Sequence, residues 1–308
     1  METFVLALGG NALLKKGEKP TFETQTHNIS RAAASMADTL AWKDTNFIIT
    51  HGNGPQVGAE IMRNHYAKES VPQLPMGILT AETQALVGSM LECAVRAELR
   101  KRRISKKVCT VITHTLVDPR DSAFANPTKP VGPFYSKAEL AAELKHRKFK
   151  YVQEDGKYRQ VVASPTPLAV LEADAIRQLL DDDHIVICCG GGGVPVHEQD
   201  GVYTMVPGVI DKDLTTQVLA NSIGADRMVI LTDAECVYGN YQRRSQPLRA
   251  ISARELRRSV SNYEQGTIRP KIEACLRFIE HGGRSAYIGN LFMLNEVIMG
   301  KSGTKITK

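Results

Sequence analysis

One recurring arrangement organises the chain. A short apolar run, rich in branched residues, ends in glycine or a small polar residue, and a stretch of helical periodicity follows. It occurs at 4–8 before Gly9-Gly10-Asn11, at 47–50 before His51-Gly52-Asn53-Gly54, and at 185–189 before the glycines at 190–193. It occurs again at 228–231 before Thr232-Asp233 and at 286–288 before Gly289-Asn290. Such runs predict buried strands. Three stripes at the 3.6-residue period predict helices: Ile29, Ala32, Ala33, Met36, Ala37 and Leu40; then Ala175, Ile176, Leu179 and Leu180; then Ile272, Cys275, Leu276 and Ile279 after Pro270. Strands alternating with helices give an α/β fold with a mostly parallel sheet and helices on both faces. Ligands of such sheets bind beyond the carboxyl ends of the strands. The glycine and polar signals therefore place one site along a single sheet edge.

Residues 118–165 break the pattern. They hold Pro119, Pro127, Pro130 and Pro133 and a charged segment at 139–157, and they read as an inserted lid subdomain within one domain spanning 1–308. Hydrophobic residues at 43% and charged residues at 23% suffice for a large core. No apolar run approaches the ~20 residues that cross a bilayer. The run at 4–8 is too short for a signal-peptide core. Cys93, Cys109, Cys188, Cys189, Cys236 and Cys275 show no C-x-x-C spacing, which predicts reduced, buried thiols in a cytoplasmic protein without a zinc site. The net charge of +6 is spread along the chain, which argues against a nucleic-acid surface. The basic run at 99–103 closes a predicted helix, where cations suit the negative end of the dipole.

Three glycine turns on one sheet edge leave backbone N–H groups open to an anion, with a helix N-terminus beyond each. There is no Walker A motif: Gly300-Lys301-Ser302 ends like one, but Asn295 stands where its leading glycine must be. No G-x-G-x-x-G opens a βαβ unit, and no G-x-S-x-G is present. Lys212 and Lys271 each stand at a predicted helix start, where a cation opposes the dipole by about 0.3–1 kcal/mol and a bound polyphosphate reverses that cost. Lys129, between Thr128 and Pro130, is pushed out of the helical region on a stiff loop. Asp213 and Asp233 are candidates for orienting lysines or for holding ribose or a metal water, and equally for helix N-caps. His51, His114 and His197 read as structural or solvent-facing.

The motifs then match a known family. Ala7-Leu8-Gly9-Gly10-Asn11-Ala12-Leu13, His51-Gly52-Asn53-Gly54-Pro55-Gln56-Val57-Gly58, Pro127-Thr128-Lys129-Pro130-Val131-Gly132, the glycines at 190–193 and Val209-Ile210-Asp211-Lys212-Asp213-Leu214 resemble carbamate kinase, a branch of the amino acid kinase superfamily. Pro270-Lys271-Ile272-Glu273-Ala274 and Gly303-Thr304-Lys305-Ile306 continue the match to the end of the chain. The resemblance implies a three-layer α/β/α sandwich, a lid at 118–165, a homodimer, and reversible transfer of a phosphoryl group between ATP and carbamate with Mg²⁺ carried by the nucleotide. It implies that Lys129, Lys212 and Lys271 bind phosphate and that Asp213 organises them. Gly9, Gly10, Asn11, Gly52, Asn53 and Gly54 would wall the transfer site. Gly191, Gly192, Thr232, Asp233, Tyr238 and Ile268 would belong to the nucleotide pocket. No resident metal ligand is implied.

The chain departs from the family pattern at 85–89, at Glu235-Cys236, and at Gly266-Thr267-Ile268-Arg269, where Arg269 adds charge near the expected phosphates. Two other readings stay open: a paralogous kinase for another small carboxylate, and a nucleotide-binding relative that has lost turnover.

Overall fold

A computed structural model describes residues 1–14, 17–144, 150–154, 156–240, 245–264 and 268–308. Each of the five apolar runs is a strand of one eight-stranded sheet: Glu2–Leu8, Thr45–His51, His184–Cys188, Arg227–Thr232 and Ser285–Asn290. These five run parallel, and Lys107–Thr110 extends the sheet in the same sense beside His184–Cys188. At the other edge Thr304–Thr307 runs antiparallel to Ser285–Asn290, and Ala250–Ser252 pairs with it.

Strand periodicity sorts the core into two apolar layers. Phe4, Leu6, Leu8, Phe47, Ile49, Ile185, Ile187, Val229 and Leu231 lie in one, and Val5, Ala7, Ile48, Val186, Met228 and Ile230 in the other. Helices Phe22–Leu40 and Met76–Lys101 bring Ile29, Met36, Val87 and Leu91 to the first layer. Helices Ala173–Asp181, Lys212–Ser222 and Arg269–Glu280 bring Ile176, Leu219, Ile272 and Leu276 to the second. Fully buried side chains of this size each contribute about 1.5–3 kcal/mol. The result is the three-layer α/β/α sandwich; the predicted stripes at 29–40 and 272–279 face inward throughout, while in the 175–180 stripe Ile176 and Leu180 are buried and Ala175 is exposed.

A second sheet has no counterpart in the sequence reading. Its four strands are Val202–Met205, Val194–Gln199, His114–Val117 and Pro167–Val170, in that order. Within 118–165 the chain forms a three-stranded antiparallel sheet of Lys129–Tyr135, Lys157–Val162 and Lys150–Glu154. The Asp121 carboxylate accepts the amides of Ala123 at 2.8 Å and Thr166 at 2.9 Å, tying the start of this segment to the chain just past its end.

The thiols depart from expectation at two places. Cys188, Cys189, Cys236 and Cys275 are buried, but Cys109 is half-buried and Cys93 is exposed because it lies on the outer face of its long helix. The basic run forms ion pairs, Lys101 with Glu98 at 2.6 Å and Arg102 with Asp38 at 2.7 Å, as a solvated helix end should. No helix of the described residues is long and apolar enough to cross a membrane.

Candidate active site

Parallel register brings the strand ends together. Leu8 is level with both His51 and Leu231, so the turns that follow these strands emerge side by side. A Cβ on Gly52 would come within 3.3 Å of the Gly10 amide nitrogen, so the two turns touch backbone to backbone. The Gly190–Gly192 turn closes the same corner. Gly191 has φ +62°, and a Cβ there would lie 2.1 Å from Asn53 Oδ1, so only glycine fits. Asn53, which opens the Gly54–Ala67 helix, does not cap it; its amide donates to Thr83 Oγ1 at 2.8 Å.

The Lys212–Ser222 helix starts at this corner. Its N-cap is Asp211, whose Oδ1 accepts the Asp213 and Leu214 amides at 3.0 and 3.4 Å. Thr115 and Thr215 hydroxyls donate to Gly192 O at 2.8 and 3.1 Å, binding the glycine turn to the helix. The Thr216 hydroxyl lies 2.7 Å from that of Thr50 and donates to Lys212 O at 2.7 Å.

Asp213 is therefore free of capping, the alternative open for it in the sequence. It is 2% exposed and receives two ammonium groups, Lys212 Nζ at 2.5 Å on Oδ1 and Lys271 Nζ at 2.8 Å on Oδ2. Lys271 comes from the first turn of Arg269–Glu280, a helix with Pro270 in that turn and no side-chain cap at Ile268. Lys129, at the start of its strand, places Nζ 3.4 Å from Asp211 Oδ2. Two adjacent carboxylates thus gather all three sequence-predicted lysines, and three ammonium groups against two carboxylates leave an excess positive charge.

Burial alone would raise the Asp213 pKa, but the charges and hydrogen bonds of Lys212 and Lys271 hold it well below the usual carboxylate range. The two lysines respond differently. Burial prevails over Asp213 at the more enclosed Lys212 and lowers its pKa; at the more open Lys271 burial is outweighed by Asp213 and the pKa rises.

His51 is neither a ligand-free surface group nor a charge. Burial first, with Lys212 also lowering it, brings its pKa from 6.5 to about 4 despite the contact of Nδ1 with Gly52 O at 3.0 Å. A histidine neutral when folded and protonated when unfolded stabilises the fold fully above about 6.5, and that contribution is lost as pH falls toward 4. The expected loss is about 3 kcal/mol, at about 1.4 kcal/mol per pKa unit. Urea unfolding of His51→Gln from pH 7.5 to 4.5 should show a flatter dependence on pH than the parent chain; equal slopes would assign the acid sensitivity elsewhere.

The remaining expected residues lie as follows. Gly9 and Gly10 bracket the first turn; the Asn11 side chain lies outside what is described. Gly191 and Gly192, expected on the nucleotide side, pack on Asn53 and Ile210, next to the Gly52–Gly54 turn. Thr232 ends the neighbouring strand and Asp233 follows it, with Thr232 Oγ1 donating to Asp233 Oδ1 at 2.9 Å and Asn290 Nδ2 to Asp233 O at 3.2 Å. Tyr238 is half-buried in strand Val237–Asn240. Ile268 is 2% exposed and belongs to the apolar layer with Ile272 and Cys275. Gly266 and Thr267 lie outside the described residues. Arg269 is engaged by Glu273 at 2.9 Å, one turn along its own helix, so its charge is paired away from Lys271. His114 forms a buttress with Glu172 at 2.7 Å.

Sequence reasoning missed Asp211, Thr83 and Gln84 as supports. Gln84 is 1% exposed and holds Thr113 through main chain and hydroxyl at 3.0–3.2 Å. Thr113 Oγ1 in turn accepts the Cys189 amide at 3.0 Å, just ahead of the glycine turn. Within the departure at 85–89, Ala85, Leu86 and Ser89 are exposed on the Met76–Lys101 helix, while Val87 is buried in the first apolar layer.

Comparison with known proteins gives a consistent picture. The family model described as "Amino acid kinase family" matches residues 2–290. The carbamate kinase of Thermococcus kodakarensis is 40% identical over 314 residues, covering 100% of both chains. That of Pyrococcus horikoshii is 42% identical over 315 residues, covering 99% of each. The solved carbamate kinase from Giardia lamblia bound to AMP-PNP superposes with a TM-score of 0.94 at 34% identity, covering 100% of this chain and 98% of that one.

Proposed function

The chain belongs to the amino acid kinase family, in its carbamate kinase branch, and from that membership we propose that it moves a phosphoryl group reversibly between ATP and carbamate. The observation that carries the reading is the Asp213-centred pair of ammonium groups, with Lys129 beside it, over three glycine turns on one sheet edge.

In the ATP-forming direction a terminal oxygen of ADP attacks the phosphorus of carbamoyl phosphate. The bond from phosphorus to the acyl oxygen breaks, and carbamate leaves and decomposes to ammonia and CO₂. Both nucleophiles are already anions, so no strong general base is required. What the protein must supply is alignment and positive charge over the phosphoryl oxygens. Lys212 and Lys271 supply that charge, Asp213 holds their spacing, and Lys129 approaches from the segment at 118–165, which serves as a lid. Gly9, Gly10, Asn11, Gly52, Asn53 and Gly54 present open backbone to the transferred group, while Thr232, Asp233 and Tyr238 form the nucleotide side. Use of a nucleotide is supported by the AMP-PNP complex of the Giardia lamblia relative.

Mg²⁺ carried by the nucleotide phosphates would add neutralising charge beside that of Lys212 and Lys271. A cytoplasmic homodimer that drains carbamoyl phosphate from arginine or purine-ring breakdown completes the proposal, supported by the resemblance. No observation favours another acceptor or a loss of turnover: Ala85 and Ser89, which replace the family's glycine and tyrosine, are exposed, and the lysines are present and gathered.

The direct test follows ATP formation from ADP, Mg²⁺ and carbamoyl phosphate, with acetyl phosphate and other acyl phosphates as controls. Carbamoyl phosphate should be the fastest donor. A faster alternative would change the acceptor, and no ATP from any of them would remove the kinase reading.

A further inference from the structure

We propose that Asp211 is a positioning residue for Lys129, coupling the strand that carries Lys129 to the helix that carries Lys212 and Asp213. The inference rests on the kinase reading for its consequence in catalysis, but not for the contact itself.

The two oxygens of this carboxylate face different ways. Oδ1 caps the helix through the Asp213 and Leu214 amides, and Oδ2 lies 3.4 Å from Lys129 Nζ. Capping alone does not call for a carboxylate, since Asn or Ser serves as well. The negative charge has its use on the second side. Main-chain contacts support the same connection. Lys129 is level with Val162 in the three-stranded sheet, and the next residue, Ala163, accepts the Val209 amide at 2.9 Å, two residues before Asp211. The base of the sheet and the Lys129 side chain are thus attached to one short stretch, 208–211.

Exposure separates this pair from the Asp213 cluster. The Lys129 and Asp211 side chains are 39% and 21% exposed, against 3% for Asp213. A pair so open to water is weak and exchangeable. Asp211 therefore keeps Lys129 near the phosphoryl position in the unliganded chain, and an incoming phosphate can take the ammonium group over without breaking a buried pair.

The test compares Asp211→Asn, Lys129→Met and the double variant in the full chain. Asn retains the cap and removes the charge. In the ATP-forming assay Asp211→Asn should lower kcat/KM for carbamoyl phosphate about tenfold, mostly through KM, and should add nothing when Lys129 is already Met. Backbone hydrogen exchange at 129–135 should quicken in both single variants, while 212–222 in Asp211→Asn exchanges as in the parent chain. Additive losses in the double variant, or unchanged kinetics and exchange in Asp211→Asn, would overturn the proposal. If the parent chain made no ATP, the kinase reading would fall and the exchange measurement alone would decide the tether.

Discussion

Lys212→Met and Lys271→Met are each expected to slow ATP formation about 10²–10³-fold while the chain still folds. The magnitude is that of removing one preorganised charge donor from a transferring group. Met fills most of the lysine volume, so the change is one of charge rather than packing. Folding survives because Asp213 keeps a partner in each variant: Lys271 at 2.8 Å in the first, Lys212 at 2.5 Å in the second. Steady-state kcat, read beside a thermal unfolding curve, separates the two effects. Unchanged kcat in both variants would strip these lysines of their roles, whatever the wild-type activity.

Asp213→Ala should instead unfold the protein more easily. The carboxylate is 2% exposed and is the common partner of two ammonium groups with 11% and 19% exposed side chains. Removing it leaves like charges facing each other in a region poor in water. Breaking a buried ion pair from one side costs about 3–5 kcal/mol. Urea titration measures the loss through the midpoint at constant m. The pH dependence gives a second check. The Asp213 pKa is depressed in the folded chain, so its contribution is complete above the ordinary carboxylate value of about 3.9 and is lost as pH falls below it. The difference between parent and variant should therefore be constant at pH 6–8 and shrink below pH 4. A variant as stable as the parent at pH 7 would mean that the lysines find other partners and that Asp213 does not organise them.

The contrast between Asp213 and Asp211 shows what the linear pattern could and could not carry. In Asp211-Lys212-Asp213 either acid is chemically fit to cap the helix. The choice depends on where the helix begins, and that is set by packing of Leu219 and Ala220 in the second apolar layer. The same holds for Arg269, which the sequence places one residue from Pro270 and two from Lys271. Helical geometry puts Glu273 on its face instead, four residues along. His51 illustrates a different limit, since its neutrality comes from burial and from Lys212, a residue far away in sequence.

The sequence by itself determined the five parallel strands, the three helical stripes and the sheet edge where the glycine turns gather. Those follow from local periodicity, and from the rule that ligands sit beyond the carboxyl ends of parallel strands. It also carried the family, through motifs spread over the whole chain. Tertiary structure alone decided the four-stranded second sheet, whose His114–Val117 strand pairs with Val194–Gln199 from the far side of the 118–165 segment. It alone decided that Asp213 joins Lys212 to Lys271, 58 residues beyond Asp213, while Asp211 caps the helix and meets Lys129. Pairings of that kind depend on distances between atoms remote in the chain, which no pattern of neighbouring residues encodes.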